Sequence, residues 1–290
     1  YEVALAHFPK INYKRYKKLL AFFNNAKNIW QAKISQLVKS GIDEKISSEF
    51  IQWRNTNSPE KIMDNLNKLK IKTIILGHSD YPKLLSEIND PPFVIFYKGS
   101  LNFNDAPHLS VVGSRKFTTY GKQACEDIIS PLAKQGIIIV SGLALGIDSI
   151  AHQVTLNNQG ITIAVLGSGI DEQTIYPAHH INLARNIINS GGAIISEYPP
   201  GYRATKFTFP ARNRIIAGLS LGTLVIEAAQ KSGTLITAQC TLDYNREVLA
   251  VPHNITSPTA KGTNGLIKNG AVLIDNYQDI LNAFNIEIIK

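Results

Sequence analysis

Seven short aliphatic runs constrain this chain more than any other feature. From about Ala106 onward, "LSVVG", "IIIVSG", "TIAVLG", "AIISEY", "GTLVIE", "VLAVP" and "AVLI" alternate with stretches of helical periodicity. Strands that are apolar at nearly every position are buried on both faces, so they belong in a parallel sheet covered by helices above and below. The expected class is α/β, a doubly wound, Rossmann-like, mostly parallel sheet. Ligands of such sheets bind beyond the carboxyl ends of the strands, near the point where strand order reverses. The loops that follow the runs are therefore the places to look for chemistry.

The first loop is "VVGSRKFTTYG", Val111 to Gly121. Gly113 and Ser114 let backbone N–H groups approach an anion. Arg115 can grip a phosphate through two donors, and a helix expected from about Thr119 adds a favourable dipole. No Gly-Lys-Ser/Thr follows at Walker spacing and no GxGxxG is present, which speaks against an ATPase or an ordinary NAD enzyme. The phosphate could belong to a mononucleotide, a dinucleotide or a nucleic-acid strand.

In "SGLALGIDSIAH", Gly142 and Gly146 permit tight turning, and Asp148 falls where a carboxylate caps helix N–H groups. His152 has no Ser or Cys nucleophile beside it and reads as packed or solvated. In "VLGSGIDEQTIYPAHHINL", Gly167 and Gly169 repeat the small-residue pattern. The tandem His179-His180 lacks an acidic or Cys partner at metal spacing, so neither a metal nor a cofactor is expected.

The fourth loop, "KFTFPARNRIIAGLS", sets Arg212, Asn213 and Arg214 behind Phe209-Pro210. Cations interleaved with rings suit single-stranded nucleic acid: Lys and Arg take phosphates, and Phe207 or Phe209 stacks on a base while the other packs inward. Two neighbouring arginines buried together would need carboxylate partners. In the fifth loop, "VIEAAQKSGTLITA", Glu227 ends a strand and Ser232-Gly233-Thr234 opens a helix; Arg212 or Arg214 is the expected partner of that carboxylate. Five such loops on one sheet edge describe a broad electropositive pocket.

The chain before the sheet reads as residues 1–57, a small helical domain, and residues 58–105, an ordered connector, leading into a sheet domain over 106–290. Within the helical part Tyr16, Leu19, Leu20 and Phe23 keep helical spacing, Gly41 is a break and Asp43 an N-cap. The part resembles helix-hairpin-helix modules, but the matching hairpin "FPKINYK" lacks their glycines, so DNA binding is not assigned to it. Residues 1–80 carry 14 Lys and Arg against 7 Asp and Glu, nearly all of the overall excess of +8. That basic face fits an acidic partner such as nucleic acid or, equally, a solvated helix surface. Cys125 and Cys240 read as buried free thiols, compatible with a reducing compartment. No apolar run approaches the roughly 20 residues that span a bilayer, and no signal-peptide pattern is present, so the expected location is the cytoplasm.

With these residues in view, the sequence resembles the DNA processing protein A family (DprA, also called Smf). The resemblance rests on "VVGSRKFTTYG", "SGLALGIDSIAH", "GSGIDEQTIYP", "SEYPPG", "FPARNRIIAGLS", "SGTLITA", "REVLAVP" and "GTNGLIKNGA", and runs in register from about Ile74 to Asp275. It implies a sterile-alpha-motif-like helical domain before the sheet. It further implies a protein of natural transformation, not an enzyme, that binds and protects incoming single-stranded DNA, helps load the recombinase RecA and works as a homodimer. Carried over position by position, the family's DNA pocket falls on Gly113, Ser114, Arg115, Ser141, Gly142, Lys206, Phe209, Arg212, Asn213 and Arg214. The chain departs from the family pattern at His180, Asn245 and His253, all expected in turns. Many members carry a C-terminal winged-helix domain, for which the sequence up to Lys290 has no room. Apolar residues in "LIKNGAVLI" and around Ile280 to Phe284 could form a dimer face or close the core. The alternative is a Rossmann-type nucleotide 5′-monophosphate phosphoribohydrolase, with Glu227 beside Gly233-Thr234 as catalytic carboxylate. In those enzymes, however, the glutamate follows the glycines, and here it precedes them.

Overall fold

Asn12, Asn25, Asp43 and Ser58 each open a helix by accepting hydrogen bonds from its first-turn N–H groups, at Arg15, Asn28, Lys45 and Ile46, and Lys61 respectively. Such caps satisfy donors that the helix itself leaves unpaired. They divide the front of the chain into short helices: Glu2–Ala6 (α1), Tyr13–Phe23 (α2), Ala26–Gln31 (α3), Ile34–Lys39 (α4), Glu44–Thr56 (α5) and Pro59–Lys68 (α6). The computed structural model describes residues 1–99 and 103–286. Residues 100–102, in the expected connector, and 287–290, at the end of the expected sheet domain, lie outside the described residues.

The connector region supplies Lys72–Ile75 (β1), Lys83–Ser86 (α7) and Val94–Gly99 (β2). Then follow His108–Val112 (β3), Thr119–Lys134 (α8), Ile138–Ser141 (β4), Ile147–Asn157 (α9), Thr162–Val165 (β5), Ile181–Asn189 (α10), Ala193–Ser196 (β6), Thr208–Gly218 (α11), Gly222–Val225 (β7), Thr234–Asp243 (α12), Glu247–Ala250 (β8), Ala260–Lys268 (α13), Val272–Leu273 (β9) and Tyr277–Ala283 (α14). The nine strands form one sheet in the order β1-β2-β6-β5-β4-β3-β7-β8-β9. Six pairings, from β6 to β9, are parallel, and the β1–β2 and β2–β6 pairings are antiparallel. All seven aliphatic runs are strands. The chain winds outward from β3 to β6, returns, and continues from β7 on the other side, so the strand order reverses between β3 and β7.

Side-chain alternation sends each strand's apolar residues to both faces. Leu109, Val111 and Ile139 pack under α8, α9 and α14. Val112, Val140, Ile163 and Ile195 meet α7, α11 and α12 on the opposite face. The front helices pack Phe8, Trp30, Phe50 and Trp53 against one another and continue into the sheet. Leu5, Leu19, Ile29, Phe50 and Leu66 share one cluster with Phe93, Val94 and Phe96 and with Ala164 and Ile194 of the sheet. In the last helix Ile280 and Leu281 are fully buried against the sheet, whereas Leu273 is exposed. Cys125 is buried and Cys240 only half-buried, and both are free thiols. Among the described residues no helix is long and apolar enough to cross a membrane.

Candidate functional site

Close contact between the loops after β3 and β4 shapes the mouth of the switch point. Gly146, at φ +87°, lets the second loop lie against the first: a Cβ there would sit 2.2 Å from the Ser114 carbonyl oxygen. Only glycine combines that backbone angle with that approach. The Ile147 N–H then donates to the same carbonyl at 3.2 Å. Ser114 closes its own turn, its Oγ donating to the Lys116 carbonyl at 2.8 Å and accepting from the Lys116 N–H at 3.1 Å. The loop after β7 is tied in by Thr234, whose Oγ1 donates to the Gly113 carbonyl at 3.1 Å.

Beyond these strand ends lies an open groove of about 980 Å³. Arg115, Lys116, Lys206 and Lys231 line it as exposed cations, and Asp148, the lining carboxylate among the described residues, is buried. Phe209 stands in the same wall, half-buried. The Arg115 guanidinium lies 5.6 Å from its ring centroid, and the ring of Tyr176, which is exposed, lies 5.5 Å away. Positive charge next to an accessible ring is the combination that holds a phosphodiester chain by its phosphates and its bases.

Arg212 and Arg214 do not stand together in this groove. Two residues apart on α11, they point in nearly opposite directions. Arg212 is 4% exposed. Its Nη1 donates to the carbonyls of Gly142, at 2.6 Å, and Val165, clamping the carboxyl ends of β4 and β5. Gly142 has no side chain because the guanidinium occupies its place: a Cβ would lie 2.5 Å from Nη1. Burial pushes Arg212 down to about 10, opposed by the nearby Asp148 carboxylate. Burial likewise pushes Asp148 up, and Arg212 and the loop amides of Ala144 and Gly142 pull it back. Asp148 therefore serves the β4 loop, accepting from the Gly142 N–H at 3.2 Å.

Arg214 turns toward the front helices, where its Nε lies 3.0 Å from Asp90 and its Nη2 2.5 Å from Glu197. Carboxylate partners were expected if both arginines were buried, but Glu227 is not one of them. Its carboxylate is buried and accepts from the Thr118 N–H at 2.9 Å and from the Thr118 hydroxyl at 3.2 Å. It thus occupies the start of α8 that the sequence reading offered to a phosphate. Ser141 is also buried, its Oγ donating to the Val111 carbonyl at 2.6 Å. Asn213 is half-exposed in the groove and donates to the Gly233 carbonyl at 3.3 Å. Of the ten expected pocket residues, Gly113, Ser114, Arg115, Lys206, Phe209, Arg212 and Asn213 line the open groove, Arg212 as a buried part of its wall. Ser141 is buried behind it, Gly142 borders a small adjoining pocket with Arg115 and Arg212, and Arg214 faces elsewhere. Lys116, Tyr176 and Lys231 join the groove without having been singled out from sequence.

His152 is fully buried, its Nδ1 2.7 Å from the Thr162 hydroxyl. His180 meets the Leu143 carbonyl at 2.8 Å, and no group of His, Cys, Asp and Glu fit for a metal occurs among the described residues. The family departures have local reasons. Asn245 sits at φ +54°, a conformation asparagine tolerates better than most residues. The His253 ring nitrogen Nε2 is 2.8 Å from the Ile226 carbonyl.

The family model for DNA recombination-mediator protein A matches residues 72–285. Protein Smf of Escherichia coli is 44% identical over 201 residues, which are 69% of this chain and 53% of that protein, so the chain spans about half the length of that relative. The crystal structure of DNA processing protein A from Streptococcus pneumoniae aligns with a TM-score of 0.80 at 34% identity, covering 96% of this chain and 95% of that one. The structure of DNA processing protein A from Helicobacter pylori, concerned with its single-stranded DNA binding mode, aligns with a TM-score of 0.66 at 31% identity, covering 74% and 96%.

Proposed function

The chain belongs to the DNA recombination-mediator protein A family, the DprA/Smf proteins, and from that premise we propose that its groove binds single-stranded DNA regardless of sequence during natural transformation. In this reading the protein protects the incoming strand, helps load RecA, and acts as a homodimer. The observation that carries the proposal is the pairing of Arg115 with Phe209 in a groove whose exposed charges are all cationic. Phosphate contacts carry no base identity, and a ring stacks on any base, so such a site reads strand geometry and not sequence. The H. pylori relative, studied for its single-stranded DNA binding mode, supports the same ligand. Direct contacts fall to Arg115, Lys206, Phe209 and Asn213 and to the backbone at Gly113 and Ser114. Ser141, Gly142 and Arg212 hold that wall in shape.

The phosphoribohydrolase reading needs Glu227 free to face a ribose. Its carboxylate is instead engaged by Thr118 at the start of α8 and is shut off from the groove. Filter binding of oligo-dT across a salt series tests the proposal: binding is tight at low salt and falls steeply as salt rises, because bound phosphates release counterions. In parallel, nucleoside 5′-monophosphates yield no free base. Base release together with salt-independent DNA binding would reverse the assignment.

A further inference from the structure

The turn from Thr205 to Thr208 divides the groove from a second cavity. Lys206 faces the groove, Phe207 and Thr208 line the other side, and Thr205 borders both. The second cavity, about 660 Å³, lies between the front helices and the segment that follows β6. On one wall Tyr198 stacks on Tyr202, centroids 4.7 Å apart and planes 18° from parallel. Tyr13 and the exposed Lys14, from the front helices, also line it. At the junction Phe207 is 73% exposed, with the Lys206 ammonium 5.0 Å from its ring centroid. A phenyl ring left in water beside a cation, on the lip between two cavities, is a platform for a base passing from one to the other.

The floor of this cavity differs from the groove. Arg214 is held by Asp90 and Glu197, while its Nη1 is buried with no hydrogen-bond partner among the described residues. Two carboxylates against one guanidinium repel a phosphate. Partly exposed carboxylate oxygens instead accept from the amino and imino N–H groups of a nucleobase edge.

We propose that this cavity is a second nucleobase subsite, which receives bases of the same single strand as it leaves the groove across Phe207. Bases stack against Tyr198, Tyr202 and Tyr13, and the phosphates stay outside, on Lys206 and Lys14. The inference rests on the groove binding single-stranded DNA.

The full chain is titrated with oligo-dT in a ladder from about 4 to about 16 nucleotides, the span over which single-strand grooves fill. Tyr202→Ala and the surface change Lys14→Glu bind the shortest oligonucleotides as the unaltered protein does. On longer ones each loses about tenfold, the loss expected for one stacked base or its phosphate. Iododeoxyuridine placed beyond the short footprint cross-links to Tyr13, Tyr198 or Tyr202. Equal affinity of both variants at every length, with Arg115→Ala weak throughout, overturns the subsite and leaves the groove assignment standing. Equal loss at every length also overturns it, because the effect then belongs to the groove or the fold. Undiminished binding by Arg115→Ala at all lengths removes the groove assignment and the subsite with it.

Discussion

The Arg115 guanidinium rests over the Phe209 ring, 5.6 Å from its centroid, and makes no hydrogen bond or ion pair to another protein group among the described residues. The ring orients the cation without neutralising it, so the charge stays available to a phosphate. Arg115→Ala therefore weakens oligo-dT, oligo-dA and mixed sequences alike, by about tenfold, and lowers the slope of log affinity against log salt by about 1. Arg115→Lys recovers the slope but only part of the affinity, because an ammonium lacks the planar fork. Parallel filter-binding titrations at several salt concentrations decide the point; a loss confined to one sequence refutes phosphate contact.

Arg212 produces a different signature although it lines the same groove, as a buried part of its wall. Its loss strips the Gly142 and Val165 carbonyls of a donor and leaves the buried Asp148 facing no cation from that side. Arg212→Ala is expected to destabilise the fold by roughly 3 kcal/mol, the scale of an uncompensated buried charge. Arg115→Ala, a surface change, stays within about 0.5 kcal/mol of the parent. Urea denaturation of both variants separates the roles. If Arg212→Ala unfolds at the parent's midpoint yet has lost DNA, Arg212 is a ligand-contacting group and not a clamp.

The sheet was legible because its strands announce themselves: "IIIVSG" and "TIAVLG" are apolar throughout, as burial on two faces demands. The strand at Val94–Gly99 was less so, since Pro91 and Pro92 and the turn residues before them read as connector. Loop chemistry at Gly113 to Arg115 could be read because it is local. The fates of Arg212 and Arg214 could not. That buried arginines need carboxylates or carbonyls follows from electrostatics, but Val165, Glu197 and Asp90 are brought to them by the winding of the chain. Tyr176 and Lys231 reach the groove in the same way, each from a loop whose own sequence carries no sign of its neighbours. Glu227 was misassigned because a strand-end carboxylate looks alike whether it serves a substrate or caps the helix of another loop.

His152 and His108 give the fold a defined acid sensitivity. Burial lowers His152 to about 3 and His108 to about 4, both from 6.5. Each stays neutral in the folded chain while its unfolded counterpart takes up a proton below about pH 6.5. The stability they support is thus fully present above that pH and is lost as pH falls toward 4. By pH 5 the loss is on the order of 2 kcal/mol for each histidine. Thermal or urea unfolding at pH 7.5 and pH 5 measures it. In His152→Leu, where the Thr162 hydroxyl still donates to the Ile139 carbonyl, the profile between those values is shallower. An unchanged slope assigns the acid sensitivity to other groups.

Arg214 is the ion-pair partner of a half-buried carboxylate, and its replacement exposes that carboxylate's own preference. Burial drives Glu197 above the usual carboxylate range, and the Arg214 guanidinium is what opposes the rise. In Arg214→Met that opposition is gone. At neutral pH the variant must either leave a half-buried charge unpaired or hold a proton, and it is expected to be less stable than the parent by roughly 2 kcal/mol. A group whose folded pKa is raised supports the fold below its unfolded value, about 4.5, and withdraws that support as pH climbs through the folded value. The gap between Arg214→Met and the parent therefore narrows as pH is lowered from 7.5 toward 5, against the direction in which the histidines act on both proteins. Adding Glu197→Leu to Arg214→Met removes the stranded carboxylate and restores most of the lost stability at pH 7.5, since the two changes are coupled through one contact. A double variant as unstable as the single one would mean that the arginine acts through Asp90 or through packing and not through Glu197.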